Sequence, residues 1–201
     1  MADWNEVQKH EADYWGDCLG MRAWGEFVKQ EMYAREMGLR KEYGTSVGEL
    51  DMQGKSVLDI GGGPMSMTLR CINAGKLTVV DPCGWPASVH RRYRNYGIEF
   101  IRAAGEDLPV LDLHGYDEVW LYNVLQHVQD PAKVLATIVN LGRVLRIFEW
   151  LWIPADECHP HVLTPDMILN GLNGCRIVTV TMPHLKEYWS NATALAGVFT
   201  H

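Results

Sequence analysis

The sequence predicts an α/β fold, a three-layer αβα sandwich in which a doubly wound, mostly parallel seven-stranded sheet ends with an antiparallel last strand. Short β-branched runs such as residues 56–60 and 77–80 alternate with segments of helical spacing, as in sheets covered by helices on both faces. Three consecutive glycines, Gly61 to Gly63, follow the first run. A final strand pair, residues 175–182 and 194–200, completes the pattern.

The other elements follow from local periodicity and capping residues. Apolar residues at helical spacing predict two N-terminal helices that precede the sheet, and Pro64 at a first-turn position predicts a helix directly after the glycines. Thr164 is a candidate N-cap residue with Pro165 behind it. The predicted helices are residues 3–17, 21–42, 65–73, 131–141 and 164–172, and further strands are residues 98–101, a run from residue 116, and 143–150. We expect one domain, residues 1–201, with a helical cap (1–50) and a cofactor-binding core (51–201).

Composition limits the functional classes. The chain has 201 residues, of which 47% are hydrophobic and 21% charged, values typical of one globular domain. Neither an 18-residue apolar run nor a basic start followed by an apolar segment is present, so we expect a cytoplasmic protein without a membrane partner. The net charge of −7 makes a nucleic-acid substrate unlikely. The basic residues 90–96 are interpreted as the solvated face of a helix.

The glycine loop and two carboxylates predict a nucleoside cofactor. Glycines at the end of a strand let a ligand approach bare backbone N–H groups. Asp81, at the end of the second strand, can accept hydrogen bonds from both hydroxyls of a ribose. The loop alone is a degenerate dinucleotide fingerprint, because Ser66 occupies the third glycine position. Asp59 discriminates better, since a carboxylate there would repel a pyrophosphate but attract a cationic ligand.

Several motifs resemble the class I S-adenosylmethionine-dependent methyltransferases. Residues 57–64 (VLDIGGGP) and Asp81 resemble the first two motifs of that family. Residues 103–109 resemble its adenine-side loop, and the spacing of Leu125, His127, Asp130 and Pro131 resembles its fourth motif. The resemblance extends from residue 55 to the end of the sequence. It implies a Rossmann-like fold, with S-adenosylmethionine as cofactor and S-adenosylhomocysteine as product.

The same resemblance implies a set of cofactor contacts. Many relatives carry an Asp where this chain has Ala104, so Glu106 or backbone groups of the loop must bind adenine instead. Asn123, at the tip of the fourth strand, is either a cofactor contact or a turn-capping residue. Trp15, with Tyr14 and Tyr43, either covers the methionine end or packs between helices. The expected cofactor-binding residues are Asp59, Gly61, Gly62, Gly63, Asp81, Pro82, Ala104, Gly105, Glu106, Asn123 and Trp15.

Candidates for catalysis are histidines. If the acceptor is a hydroxyl or an amine, a base must remove its proton, and a histidine titrates near neutral pH. His127 follows the fourth strand and His161 follows the fifth, although each could instead be structural. The sequence Cys158-His159-Pro160-His161, with Asp156 or Glu157, contains residue types that bind metals. Adjacent ligands separated by a proline, however, rarely converge on one ion. We expect no metal.

These observations predict a methyltransferase that acts on an O or N atom of a small-molecule acceptor. Two other hypotheses use the same residues. A protein could bind the cofactor without turnover, or the loop could serve an NAD-dependent oxidoreductase, which Asp59 disfavours. The sequence does not indicate the oligomeric state.

Overall fold

A computed structural model describes residues 4–44, 46, 48–185 and 192–201. The predicted turn at residues 183–191 lies largely outside this part of the chain. The helices are α1 Trp4–Trp15, α2 Met21–Glu36, α3 Leu39–Tyr43, α4 Ala87–Asn95, α5 Pro131–Ile138 and α6 Pro165–Gly171. The strands are β1 Leu50–Asp51, β2 Val57–Ile60, β3 Cys71–Ile72, β4 Leu77–Asp81, β5 Ile98–Arg102, β6 Tyr116–Tyr122, β7 Gly142–Leu151, β8 Arg176–Thr181 and β9 Thr193–Thr200.

The main sheet has seven strands in the order β5-β4-β2-β6-β7-β9-β8. All neighbouring pairs are parallel except those formed by β9, which is antiparallel to both β7 and β8. The predicted fold class is therefore confirmed. Strand β2 lies between β4 and β6, with Asp59 opposite Val79 and Trp120, so the carboxyl ends of these three strands meet at one edge.

Side chains of alternating residues in the central strands pack in two hydrophobic cores, one on each face of the sheet. Val57 belongs to a cluster that includes α2 and α4 residues, whereas Leu58 belongs to a cluster with α5 and α6 residues. Because successive side chains of a strand point to opposite faces, this alternation puts helices on both faces of the sheet. Among the described residues, no helix is long and apolar enough to cross a membrane.

The segment after the glycine loop is not the predicted helix. The prediction for residues 65–73 is wrong: a single 3₁₀ turn, Met67–Arg70, is followed by β3, which pairs in parallel with β1. Ser66 caps the turn by accepting a hydrogen bond from Thr68 N at 2.9 Å. Arg70 Nε donates to Gly48 O at 2.7 Å, so long-range contacts override the local helical spacing.

The predicted helix of residues 21–42 is also interrupted. Gly38 adopts a left-handed conformation with φ of 75°, which ends α2 and starts α3. The short helix α3 places Tyr43 on a buried network, where its hydroxyl donates to Glu118 Oε1 at 2.5 Å and Arg146 Nε donates to Glu118 Oε2 at 2.8 Å. Tyr43 therefore stabilises the contact between cap and sheet.

Candidate functional site

A cavity lies where β2, β4 and β6 end, beneath helices α1 and α2. The space between the lining residues is about 940 Å³ when its open mouth is included. Most of the predicted site residues line it. These are Trp15, Gly61, Gly62, Gly63, Asp81, Pro82, Gly105, Glu106, Asn123 and His127.

Each of the three glycines in the loop occupies a position that disfavours a larger residue. A Cβ on Gly61 would lie 2.4 Å from Val124 Cγ2, and one on Gly62 would lie 2.8 Å from Asp59 Oδ2. Gly63 has a φ of 64° and open space around the position of a Cβ, so its backbone is accessible from the cavity. The loop therefore packs tightly against the sheet and presents bare backbone to a ligand.

Asp59 lies behind this loop, outside the cavity lining. Its side chain is fully buried, and Oδ2 accepts hydrogen bonds from Ser66 Oγ and, at 2.6 Å, from Tyr122 Oη. Oδ1 has no hydrogen-bond partner among the described residues. Burial raises the pKa of Asp59 to about 7. Asp59 therefore braces the loop and keeps one unpaired carboxylate oxygen beneath it.

Asp81 lines the cavity and also holds the loop. Its Oδ2 accepts a hydrogen bond from Gly63 N at 3.0 Å, and its Oδ1 accepts from Cys83 N and Trp85 Nε1, both at 2.9 Å. Burial raises its pKa to about 6. A carboxylate has about four acceptor positions, and three are occupied. Three protein donors therefore already occupy acceptor positions of Asp81, and recognition of the ribose by the remaining capacity of this carboxylate stays a prediction.

The adenine-side loop offers Glu106. Its Oε1 accepts from Gln129 N at 2.8 Å and Asp130 N at 2.9 Å. Its Oε2 is buried and has no hydrogen-bond partner among the described residues. Ala104 is not part of the cavity lining, and its N–H donates to Asp107 Oδ2 at 3.2 Å. Of the predicted adenine contacts, Glu106 therefore has the free acceptor.

The turn after β6 carries Asn123, whose φ of 56° is left-handed. Asn123 Oδ1 accepts from Gln126 Nε2 at 3.0 Å. The next two backbone N–H groups, of Val124 and Leu125, donate to Glu149 Oε1 at 2.9 and 3.2 Å. Glu149 is fully buried, and burial raises its pKa to about 8. This carboxyl fixes the turn that presents Asn123 and the following histidine.

His127 lines the cavity as an uncharged ring. Burial, followed by the nearby His159, lowers its pKa to about 4. Nδ1 lies 3.1 Å from Cys158 O, and because a carbonyl can only accept, this nitrogen must carry the proton. Nε2 therefore keeps a lone pair that can accept from Gln126 Nε2, 3.4 Å away, and a histidine with so low a pKa is a weak base.

His161 lies elsewhere. It lines a neighbouring groove with Trp4 and Gln129 rather than the main cavity, and its Nε2 donates to Val128 O at 2.8 Å. His159 Nδ1 pairs with Asp156 Oδ1 at 2.8 Å. Within the described part of the chain, no group of three or more His, Cys, Asp or Glu side chains is arranged to hold a metal ion.

Residues 58–146 match a family model described as "Methyltransferase domain". That stretch is 89 of the 201 residues, and over it the chain resembles the class I S-adenosylmethionine-dependent methyltransferases. It is 30% identical over 100 residues to a ubiquinone biosynthesis O-methyltransferase from Neisseria meningitidis serogroup C (strain 053442). That match covers 47% of this chain and 42% of the relative, so the similarity spans less than half the length of the relative.

Solved structures share the fold of this chain at low identity. The [4+2]-cyclase SpnF is 13% identical with a TM-score of 0.64, and the match covers 85% of this chain and 81% of that one. A 1,6-didemethyltoxoflavin-N1-methyltransferase from Burkholderia thailandensis, solved with its substrate and S-adenosylhomocysteine, is 15% identical with a TM-score of 0.63 over 100% and 91% of the two chains. At these identities the likeness shows the fold alone.

The charged side chains that line the cavity are of one sign. Glu11, Glu26, Asp81 and Glu106 line it, and the described lining residues include no Lys or Arg. Glu26 was not predicted from the sequence, and neither were the lining residues Gln8, Tyr33 and Trp85. Three of these residues lie in the helical cap. They are far in sequence from the cofactor motifs, so no local pattern indicates that they reach the cavity. Trp85 follows Asp81 by four residues, and that proximity was the one available indication.

Proposed function

We propose that this protein binds S-adenosylmethionine in the cavity and transfers its methyl group to an O or N atom of a small-molecule acceptor, with S-adenosylhomocysteine as product. The observation that carries the proposal is the acidic lining without a described Lys or Arg. A sulfonium and an ammonium are attracted to such a lining, whereas a pyrophosphate is repelled. The NAD-dependent alternative is therefore disfavoured.

Unpaired acceptors in the site fit this cofactor. Glu106 Oε2 suits the amino group of adenine, and the remaining acceptor position of Asp81 suits one ribose hydroxyl. The open backbone at Gly63 allows close approach of the ligand. The unpaired Oδ1 of Asp59 adds a further acceptor beneath the loop.

When bound, the cofactor supplies an activated methyl group, and the protein supplies alignment. Holding two reactants in line accounts for much of the acceleration in such a displacement. Trp15 and Tyr33, from the cap, line the cavity. His127 also lines it, whereas His161 lines the neighbouring groove. We therefore assign His127 a hydrogen-bonding role toward the acceptor, and His161 a place outside the cofactor cavity.

The test has two stages. Calorimetric titration with S-adenosylmethionine, S-adenosylhomocysteine and NAD in parallel should show binding of the first two only, and tight binding of NAD alone would overturn the proposal. Release of S-adenosylhomocysteine is then measured with panels of phenolic, carboxylic and amine acceptors. Binding without turnover on any acceptor would favour the alternative of a cofactor-binding protein that does not transfer methyl groups.

A further inference from the structure

An ion pair on helix α2 lies beside the cavity. Glu26 Oε2 and Lys29 Nζ are 2.5 Å apart, and their side chains are 14% and 34% exposed. Glu26 lines the cavity, and Lys29 Nζ lies 4.7 Å from the centre of the Trp15 ring, which also lines it. One negative and one positive group are therefore placed together at the cap side of the site.

The two charges act on other residues of the cavity. After burial, Glu26 is the largest cause of the raised pKa of Tyr33, and it is likewise the second cause of the raised pKa of Cys18. Lys29 contributes to the lowered pKa of His127, behind burial and His159. All three affected side chains line the cavity. By position, Glu26 lines the cavity, and Lys29 lies at its edge through its contacts with Glu26 and Trp15.

The other acidic groups of the cavity have different partners. Glu11 accepts a hydrogen bond from Trp15 Nε1 at 3.1 Å, Asp81 holds three donors, and Glu106 holds two backbone N–H groups. Glu26 is paired with Lys29, a partly exposed lysine on its own helix. A ligand ammonium could replace Lys29 as the partner of Glu26. Lys29 would then need a new anion, and a ligand that also carries a carboxylate supplies one, so that no charge is left unpaired.

An α-amino acid group brings both charges. We propose that Glu26 and Lys29 bind the amino-acid end of the cofactor, Glu26 holding the ammonium and Lys29 the carboxylate. This inference rests on the proposed function. The helical cap, rather than Asp59, would then recognise the amino-acid end of the cofactor. Asp59 lies behind Gly62, which separates its carboxyl group from the cavity. The cap thereby selects a complete cofactor over a nucleoside without the tail.

The test compares two ligands that share the adenosine and the thioether. S-adenosylhomocysteine has the amino-acid end, and 5′-methylthioadenosine does not. Calorimetry on Glu26→Gln and Lys29→Gln should show S-adenosylhomocysteine binding about tenfold weaker or more, as expected for loss of a charged hydrogen bond. Affinity for 5′-methylthioadenosine should stay within about twofold of wild type.

Glu36→Gln is the matched control, because Glu36 also lies on α2 and pairs with a neighbouring basic residue, Arg35, outside the cavity lining. It should change neither affinity. Unchanged binding of S-adenosylhomocysteine by both test variants, or equal losses for both ligands, would overturn the inference. A wild-type protein that binds neither ligand would instead contradict the proposed function itself.

Discussion

Replacing Asp81 by Asn tests the ribose site most directly. The carboxylate now accepts from Gly63 N, Cys83 N and Trp85 Nε1, which leaves one acceptor position, on Oδ2. The substitution removes the charge and turns one oxygen into a donor. A single hydrogen bond to a charged group contributes about 1.5–3 kcal/mol, so S-adenosylhomocysteine should bind about 10- to 150-fold more weakly.

The same substitution also affects the loop, since the new amide group faces at least one N–H donor. We expect a loss of about 1–3 kcal/mol in the free energy of unfolding, so thermal unfolding is measured alongside calorimetry at a temperature where the variant is folded. Glu99→Gln, on the neighbouring strand and paired with Lys76 at the surface, is the control and should leave the affinity unchanged.

The pH dependence gives a second measure of Asp81. Its pKa is raised to about 6 by burial, so the charged acceptor is present above pH 6 and is lost as the pH falls below it. Wild-type affinity should therefore fall between pH 7 and pH 5, and the Asn variant should show a smaller fall. A folded Asn variant that binds S-adenosylhomocysteine within twofold of wild type would refute the assignment of Asp81 to the ribose.

Two further predictions concern the surrounding scaffold. The pKa of Glu149 rises from 4.5 to about 8 on folding, so its stabilising contribution is present below pH 4.5 and is lost as the pH rises toward 8. Relative to wild type, Glu149→Gln should gain about 2–4 kcal/mol of stability between pH 5 and 8 by denaturant unfolding, and a flat difference would contradict this. Gly61→Ala should abolish cofactor binding in calorimetry, because its Cβ would meet Val124 Cγ2 at 2.4 Å. Adding Val124→Ala should restore at most part of the binding, because the φ of 73° at Gly61 also strains an alanine. Binding by Gly61→Ala within twofold of wild type would contradict the prediction.

Local pattern was sufficient for the strands but less so for the segments between them. The β-branched run at β4 is buried along its whole length. A short buried run of this kind is typical of a central parallel strand, so the local pattern was enough to predict it. The segment after Gly63 has helical spacing, yet Arg70 and the pairing of β3 with β1 draw it into a 3₁₀ turn and a short strand. Gly38 interrupts the second helix in the same way, because α3 must reach the buried Arg146 and Glu118 network.

The sequence by itself determined the seven strands of the main sheet, the glycine loop and the acid at the end of β4, because these depend on neighbouring residues and on the meeting of parallel strand ends at one edge. Only the tertiary structure decided which polar groups stay available to a ligand. In the folded chain, Glu106 Oε2 is buried without a hydrogen-bond partner among the described residues. Three donors already bind the carboxylate of Asp81. Burial keeps His127 uncharged. The folded cap brings Glu26 to the cavity across a separation in sequence that no local pattern spans.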